Sequence, residues 1–180
     1  MHEALRWWHL PGNTANLHDL LDSYAWEQGI TDPQLIEDAI DQATDLLGRT
    51  ERSKIIGQMQ QAGQIYRELP FTFAHGSRTI NGVIDVLFFS KYQRWNVVDY
   101  KTSTVYIAEG QEPGAAIYAH ARRYHPQVAI YAAAVEAMTG QAPDVHLHYI
   151  RYVYTVNVPA DTWRGVLDSL DADIAAALEE

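Results

Sequence analysis

Arg78-Thr79-Ile80-Asn81-Gly82-Val83-Ile84-Asp85-Val86-Leu87-Phe88-Phe89, then Ser90-Lys91-Tyr92-Gln93, then Arg94-Trp95-Asn96-Val97-Val98-Asp99-Tyr100-Lys101, is the stretch on which the fold turns. Both outer runs are rich in Val, Ile, Phe and Tyr and read as strands, and the polar tetrapeptide between them reads as a hairpin. On a strand, residues two apart share a face, so Asp99 and Lys101 project together while Val98 and Tyr100 point into the opposite layer. Asp85 and Asp99 stand 14 positions apart. That distance suits two short arms and a tight turn, which set the two acids opposite each other on adjacent strands. An isolated Asp-x-Lys is ordinarily a surface ion pair of little energy. A second carboxylate beside it changes the reading, because two such groups repel unless a cation lies between them. Mg²⁺ takes oxygen ligands of this kind, usually one or two carboxylates with water and substrate phosphate. Lys101 then stands where it can stabilise charge developing on a phosphoryl group or orient an attacking water. The pattern points to metal-assisted phosphodiester hydrolysis.

Outward from the hairpin, the first part of the chain carries helical periodicity. Asn13 or Thr14 is placed to cap a helix from about Ala15 to Gln28, with Leu17, Leu20, Leu21 and Tyr24 on one face and Gly29 at its end. Thr31-Asp32-Pro33 restarts the chain, with proline suited to a first turn. Leu35, Ile36, Ala39, Ile40, Ala43, Leu46 and Leu47 form the next stripe, and a third helix is expected from Arg52 to Ala62. Ile65 to Phe73 looks extended, and Pro70 within it implies an edge strand or a bulge. After the hairpin, a loop through Glu109 and Glu112 leads to a helical stretch, Ala115 to Met138, broken by Pro126. Val145 to Ile150 and Val153 to Val158 are further strands. Asp161 is placed to cap a closing helix with Trp163, Leu167, Leu170, Ile174 and Leu178 as its stripe. The expected architecture is a mixed α+β (α/β) domain, a central sheet flanked by helices. One domain, 1–180, comprises a helical part over about 14–63 and a sheet-containing core over about 64–180, with no linker or repeat between them.

The 180 residues are 47% hydrophobic and 20% charged, enough to bury a core and unlike a disordered chain. The chain has no cysteine. That excludes disulfides, thiolate metal sites and a cysteine nucleophile, and it fits a reducing cytoplasm. No apolar run reaches the ~20 residues of a membrane span, and the N-terminus lacks the pattern of a signal peptide. Thirteen basic against 23 acidic residues give a net charge of −10. This disfavours a freestanding, tight DNA binder, whose phosphate contacts would come from Lys and Arg.

Glu68-Leu69-Pro70-Phe71, Gly82-Val83-Ile84-Asp85, Val98-Asp99-Tyr100-Lys101-Thr102 and Gln127-Val128-Ala129-Ile130-Tyr131-Ala132 follow one another in this order. From about residue 13 to residue 135 the chain resembles the PD-(D/E)xK nuclease superfamily, in particular the nuclease domains of RecB- and AddA-type helicase–nucleases. The resemblance implies a restriction-endonuclease-like core and a Mg²⁺- or Mn²⁺-dependent deoxyribonuclease, an exonuclease of DNA recombination and repair. It implies Asp85 and Asp99 as metal ligands, with the Tyr100 carbonyl and His18 completing the set, and Lys101 as the catalytic lysine. Gln127 and Tyr131 would brace the site or touch the DNA backbone, and Glu68 matches the acid before the first core strand. The implied partner is DNA, single-stranded and delivered by a helicase motor or partner subunit. With no cysteine, the iron–sulfur cluster of some relatives is not expected.

Ordinary readings stand beside these. His18 alone could be a helix-surface histidine, Glu68 a solvated strand edge, and Gln127 with Tyr131 a plain helix face. Glu109 and Glu112 read as solvated loop acids, and His146 with His148 as a strand face. Trp7, Trp8, Trp26, Trp95 and Trp163 read as core or interface residues. Lys91, Arg94, Arg122, Arg123 and Arg151 are the candidate phosphate contacts. Two other functions fit the same composition: a nuclease-like interaction module that no longer cleaves, favoured by the acidic balance, and a hydrolase of small phosphoesters.

Overall fold

A computed structural model describes residues 2–7, 12, 15–76 and 78–179, the side chains of 2, 3 and 171–179 excepted. The expected caps Asn13 and Thr14, Trp8, and the side chains of Ile174 and Leu178 lie outside the described residues. Four helices come first: α1 (His2–Arg6), α2 (Leu17–Glu27), α3 (Pro33–Glu51) and α4 (Lys54–Gln60). Asp32 caps α3, its carboxylate accepting from the N–H groups of Gln34 and Leu35 at 2.9 and 3.2 Å, with Pro33 in the first turn. Of the expected α3 stripe, Ile36, Ile40 and Leu47 are buried, whereas Leu35 is 58% exposed. Seven apolar positions are more than one buried face of this helix accommodates.

Five strands, β1 (Gln64–His75), β2 (Arg78–Phe89), β3 (Trp95–Lys101), β4 (Asp144–Tyr149) and β5 (Tyr154–Val158), form one sheet in sequential order. All neighbours are antiparallel except β3 and β4. The parallel pair needs a crossover. It is made by α5 (Pro113–Ala121), a 3₁₀ turn (Arg122–Tyr124) and α6 (His125–Thr139). Pro126 sits in the first turn of α6, so the proline divides the long helical stretch as its chemistry requires. A second 3₁₀ turn, Ile150–Tyr152, links β4 to β5, and α7 (Ala160–Glu179) closes the described chain. Two loop expectations change. Glu112 caps α5 by accepting from Ala115 N–H at 2.7 Å, and Asp161 lies inside the first turn of α7 rather than before it. Among the described residues, no helix is long and apolar enough to cross a membrane.

Each face of the sheet has its own core. On one, Leu17, Leu21, Ile36, Ile40, Ile56 and Met59 pack with Val86, Phe88, Val98 and Tyr100. On the other, Ile117, Val128, Ala129, Ala132 and Trp163 pack with Val97, Val145, Leu147 and Val156. Of the other tryptophans, Trp95 packs against the second core, while Trp7 and Trp26 are 60% and 52% exposed. The β1–β2 hairpin serves both cores and changes face midway. Ile65, Val86 and Phe88 belong to the first, whereas Leu69, Phe71, Phe73 and Ile84 belong to the second. Strict alternation would put Ile65 with Leu69 and Ile84 with Val86. The change occurs at Glu68, whose φ of +49° is left-handed, and the ladder passes from Arg67↔Val86 to Leu69↔Ile84 without pairing Glu68 with Asp85. The irregularity expected from Pro70 therefore falls two residues earlier, on an edge strand.

Candidate active site

Lys101 ends β3, and its ammonium lies 2.6 Å from Asp99 Oδ2. Asp99 and Lys101 are only 2% and 9% exposed, so this is no surface pair. Gln127, in the first turn of α6, accepts from Lys101 Nζ at 2.9 Å and donates its own N–H to the Tyr131 hydroxyl at 2.8 Å. The spacing of four along a helix is what brings Gln127 and Tyr131 together. Tyr131 meets the Phe71 ring edge-on, centroids 5.6 Å apart. Phe71 in turn covers Gly82, its cross-strand partner, where a Cβ would lie 2.7 Å from the ring. That is the steric reason for glycine in Gly82-Val83-Ile84-Asp85.

Asp85 stands one residue beyond the last β2–β3 pair, Val86↔Val98, and thus opposite Asp99 by register, as the hairpin length predicts. Ladder pairing is not continued there. Instead Asp85 Oδ2 accepts the N–H of Tyr100 at 2.8 Å. Tyr100 turns its side chain into the helical core, its hydroxyl 3.9 Å from Met59 Sδ, and burial pushes that phenol well above the ordinary tyrosine range. Glu68 opposes Asp85 from β1 in the strained conformation already described. A non-glycine residue held there costs on the order of 1 kcal/mol or more, and such strain clusters at functional sites.

The Tyr131 phenol feels the whole group. Burial raises its pKa first, the Gln127 hydrogen bond opposes that, and the charges of Asp99, Asp85 and Glu68 each add to the rise. Three carboxylates therefore lie within electrostatic reach of a single hydroxyl. Three further residues that the sequence reading passed over belong here. The Lys101 ammonium lies 3.8 Å from the centroid of the Tyr124 ring, and the Tyr124 hydroxyl shares a 2.8 Å hydrogen bond with Ser103 Oγ. Tyr149, bonded to His120 at 2.9 Å, has its phenol raised by burial, then by Tyr124 and Asp99. The available signal for Tyr124 was its place three before Gln127 on the same helical stretch.

His18, on α2 and 57% exposed at its side chain, lies 3.4 Å from Glu37 and 3.9 Å from Asp19. Among the described residues, no three His, Cys, Asp or Glu side chains are gathered as a cation cage. The donors that do converge are carboxylate oxygens beside a main-chain segment, a set that suits a hard divalent ion completing its shell with water and phosphate. His146 and His148 form a strand face: His146 bridges Asn96 and Asn157 at 3.0 and 2.7 Å, and His148, fully buried, meets Thr155 at 2.9 Å. Arg122, Arg123 and Arg151 are exposed, Arg151 donating to the carbonyl of Thr102 at 2.8 Å.

Known proteins carry related chains. Over 89 residues, 46% of this chain, the sequence is 36% identical to an ATP-dependent helicase/nuclease subunit of Lysinibacillus sphaericus (strain C3-41). The chain spans only 7% of that relative's length. Its fold is similar to the crystal structure of a Eubacterium rectale protein provisionally assigned as an exonuclease. The TM-score is 0.52 at 13% identity, over 92% of this chain and 68% of that one. The sequence pattern of the nuclease superfamily extends across residues 1–177, from the helical part through the sheet to α7. With that match over nearly the whole chain and a five-stranded mixed sheet between helical layers, this chain belongs to the PD-(D/E)XK nuclease superfamily.

Proposed function

We propose that the chain is a divalent-metal-dependent deoxyribonuclease domain that hydrolyses DNA phosphodiester bonds from single-stranded ends, in recombination or repair, beside a helicase motor. The observation that carries this reading is the buried Asp99–Lys101 pair, opposite Asp85 and clasped by Gln127. A buried ion pair contributes little net stability, because desolvation offsets its attraction. Its retention next to a second acid is better explained by chemistry than by folding.

Asp85 and Asp99, with the Tyr100 carbonyl, would hold Mg²⁺ or Mn²⁺, and His18 is carried by the family resemblance as a further ligand. When bound, the ion supplies Lewis acidity and a water of lowered pKa. Lys101 presents a fixed positive charge to the oxygens of the scissile phosphate, where negative charge grows. Gln127 orients that ammonium, and Tyr131, hydrogen-bonded to the Gln127 amide, keeps the amide from turning. Glu68 adds a third negative charge beside Asp85. Two observations support the helicase setting: the likeness to part of a helicase/nuclease, and the net charge of −10, which leaves DNA affinity to be supplied from elsewhere.

The test is cleavage of end-labelled single strands and blunt duplexes in Mg²⁺ or Mn²⁺, with circular dichroism as the control for folding. Asp85→Asn and Lys101→Met should each reduce cleavage on the order of 100-fold or more. Asp85→Asn should also abolish the heat of Mn²⁺ binding, and His18→Ala should weaken it. Undiminished cleavage by folded Asp85→Asn and Lys101→Met variants would refute the reading.

A further inference from the structure

We infer that Tyr124 is a positioning residue for Lys101: its ring face, pinned by Ser103, holds the ammonium at the site independently of Asp99. This rests on the nuclease reading above and extends it to a residue outside the motif. A lysine ammonium has three N–H donors on a flexible four-carbon stem, so a lysine that acts at one point must be restrained. Two restraints are polar, Asp99 at 2.6 Å and Gln127 at 2.9 Å. Neither suffices as a permanent anchor. Asp99 is itself an expected metal ligand, and Gln127 is exposed and shared with Tyr131. The third restraint is the Tyr124 ring, whose centroid lies 3.8 Å from Nζ, well inside the roughly 6 Å reach of a cation–π contact. A divalent ion does not compete for it, because the ring offers no lone-pair ligand in that direction.

The ring is held as well as holding. Its hydroxyl is tied to Ser103 Oγ at 2.8 Å, and Ser103 lies two residues beyond Lys101 on the same segment. His120 tilts against the ring, with centroids 5.8 Å apart. Lysine, serine and tyrosine thus form a small closed circuit between the end of β3 and the 3₁₀ turn before α6. The ring also packs against the second core, and that packing alone does not require its face to be turned to a cation.

Tyr124→Leu removes the ring and its hydroxyl while leaving an apolar side chain. It should lower kcat about 10-fold with KM little changed, since a loosened lysine acts on the transition state rather than on strand binding. Tyr124→Phe should recover most of that loss, and Ser103→Ala should fall between the two. An independent reading comes from NMR without DNA or metal: the Lys101 side-chain methylene protons should be shifted upfield by the ring, retain that shift in Tyr124→Phe and lose it in Tyr124→Leu. If Tyr124→Leu cleaves at the parental rate while Lys101→Met does not, or if Tyr124→Phe is as impaired as Tyr124→Leu, the inference is overturned and the nuclease reading stands. If the unaltered chain cleaves no DNA, the nuclease reading fails and this role fails with it, whatever the NMR shift.

Discussion

Replacing Gly82 by alanine puts a methyl group 2.7 Å from Cε1 and Cζ of Phe71, where ordinary contact begins at 3.4 Å. The ring, or the strand behind it, must therefore give way by about 0.7 Å (3.4 − 2.7). Phe71 is 6% exposed and wedged against Tyr131, so the displacement is not absorbed by solvent. Overpacking of this kind costs about 1–3 kcal/mol. In a chain of 180 residues that lowers the unfolding midpoint by roughly 2–4 °C per kcal/mol. The effect on function should exceed the effect on stability. A pushed Phe71 moves Tyr131, whose hydroxyl orients the Gln127 amide, which in turn holds Lys101. Misplacing a reacting group by an ångström costs about 100-fold, so a partly damped 0.7 Å shift should lower kcat on the order of 10-fold. Thermal unfolding and Mn²⁺-dependent cleavage of a labelled single strand would be measured for Gly82→Ala, Phe71→Leu and the double variant. Because the two residues touch, the double variant should be more stable than additivity predicts, by roughly 1 kcal/mol. A Gly82→Ala protein with parental midpoint and parental kcat, or strict additivity in the double variant, would refute this chain of contacts.

Glu68→Gly should release left-handed strain and raise the unfolding midpoint by a few degrees, about 1 kcal/mol, while lowering cleavage through loss of the carboxylate; a drop in both would show that Glu68 has a packing role instead. Burial, and then His146, push the His148 imidazole down to about 4. Between pH 6.5 and 4 the unfolded chain takes up a proton that the folded chain refuses. Stability contributed by this residue, complete above pH 6.5, should thus be lost toward pH 4 by about 3 kcal/mol. Urea unfolding at pH 7 and 4.5 should show the decline flattened in His148→Gln, and an identical decline in that variant would contradict the assignment. If Arg122, Arg123 and Arg151 are the phosphate contacts, log K for a single strand should fall against log salt with a slope of about −2. A slope steeper than about −5 would mean that many more cations grip the strand.

The parts of the fold legible in the sequence are those fixed by local rules. Period-two alternation and a polar four-residue turn give β2, β3 and the Asp85–Asp99 opposition. Asp32-Pro33 gives the start of α3, and Pro70 gives an edge strand. What escaped depends on who packs against whom. Glu112 looks like a loop acid until α5 presents the Ala115 N–H to it. Leu35 has the right period and still faces water, because its neighbour Ile36 takes the buried position on that turn. At the site, the motif acids, Lys101 and Gln127 could be named from order and spacing. Tyr124 had only its spacing from Gln127, and its contact with Lys101 depends on the 3₁₀ turn that carries its ring over the end of β3.

The reversal within the β1–β2 hairpin joins these observations. Were the hairpin regular, Phe71 would share a face with Ile65 and look toward α2–α4, away from Tyr131. The left-handed step at Glu68 turns the outer half of the hairpin over, so that Phe71 and Ile84 join α6 while Val86 and Phe88 stay with the helical layer. At the crossing point the Glu68–Asp85 pair drops out of the ladder, and Asp85 is able to take the N–H of Tyr100 with its side chain. The charges of Glu68, Asp85 and Asp99 all reach the Tyr131 hydroxyl from this region. Backbone strain, a gap in pairing and like charges each oppose folding, and a hairpin built only to cover two cores would have them at different places or not at all. Their coincidence at one position of the sheet is what the proposed metal-dependent chemistry would require: two acids beside a lysine, where a cation and a phosphate could bind.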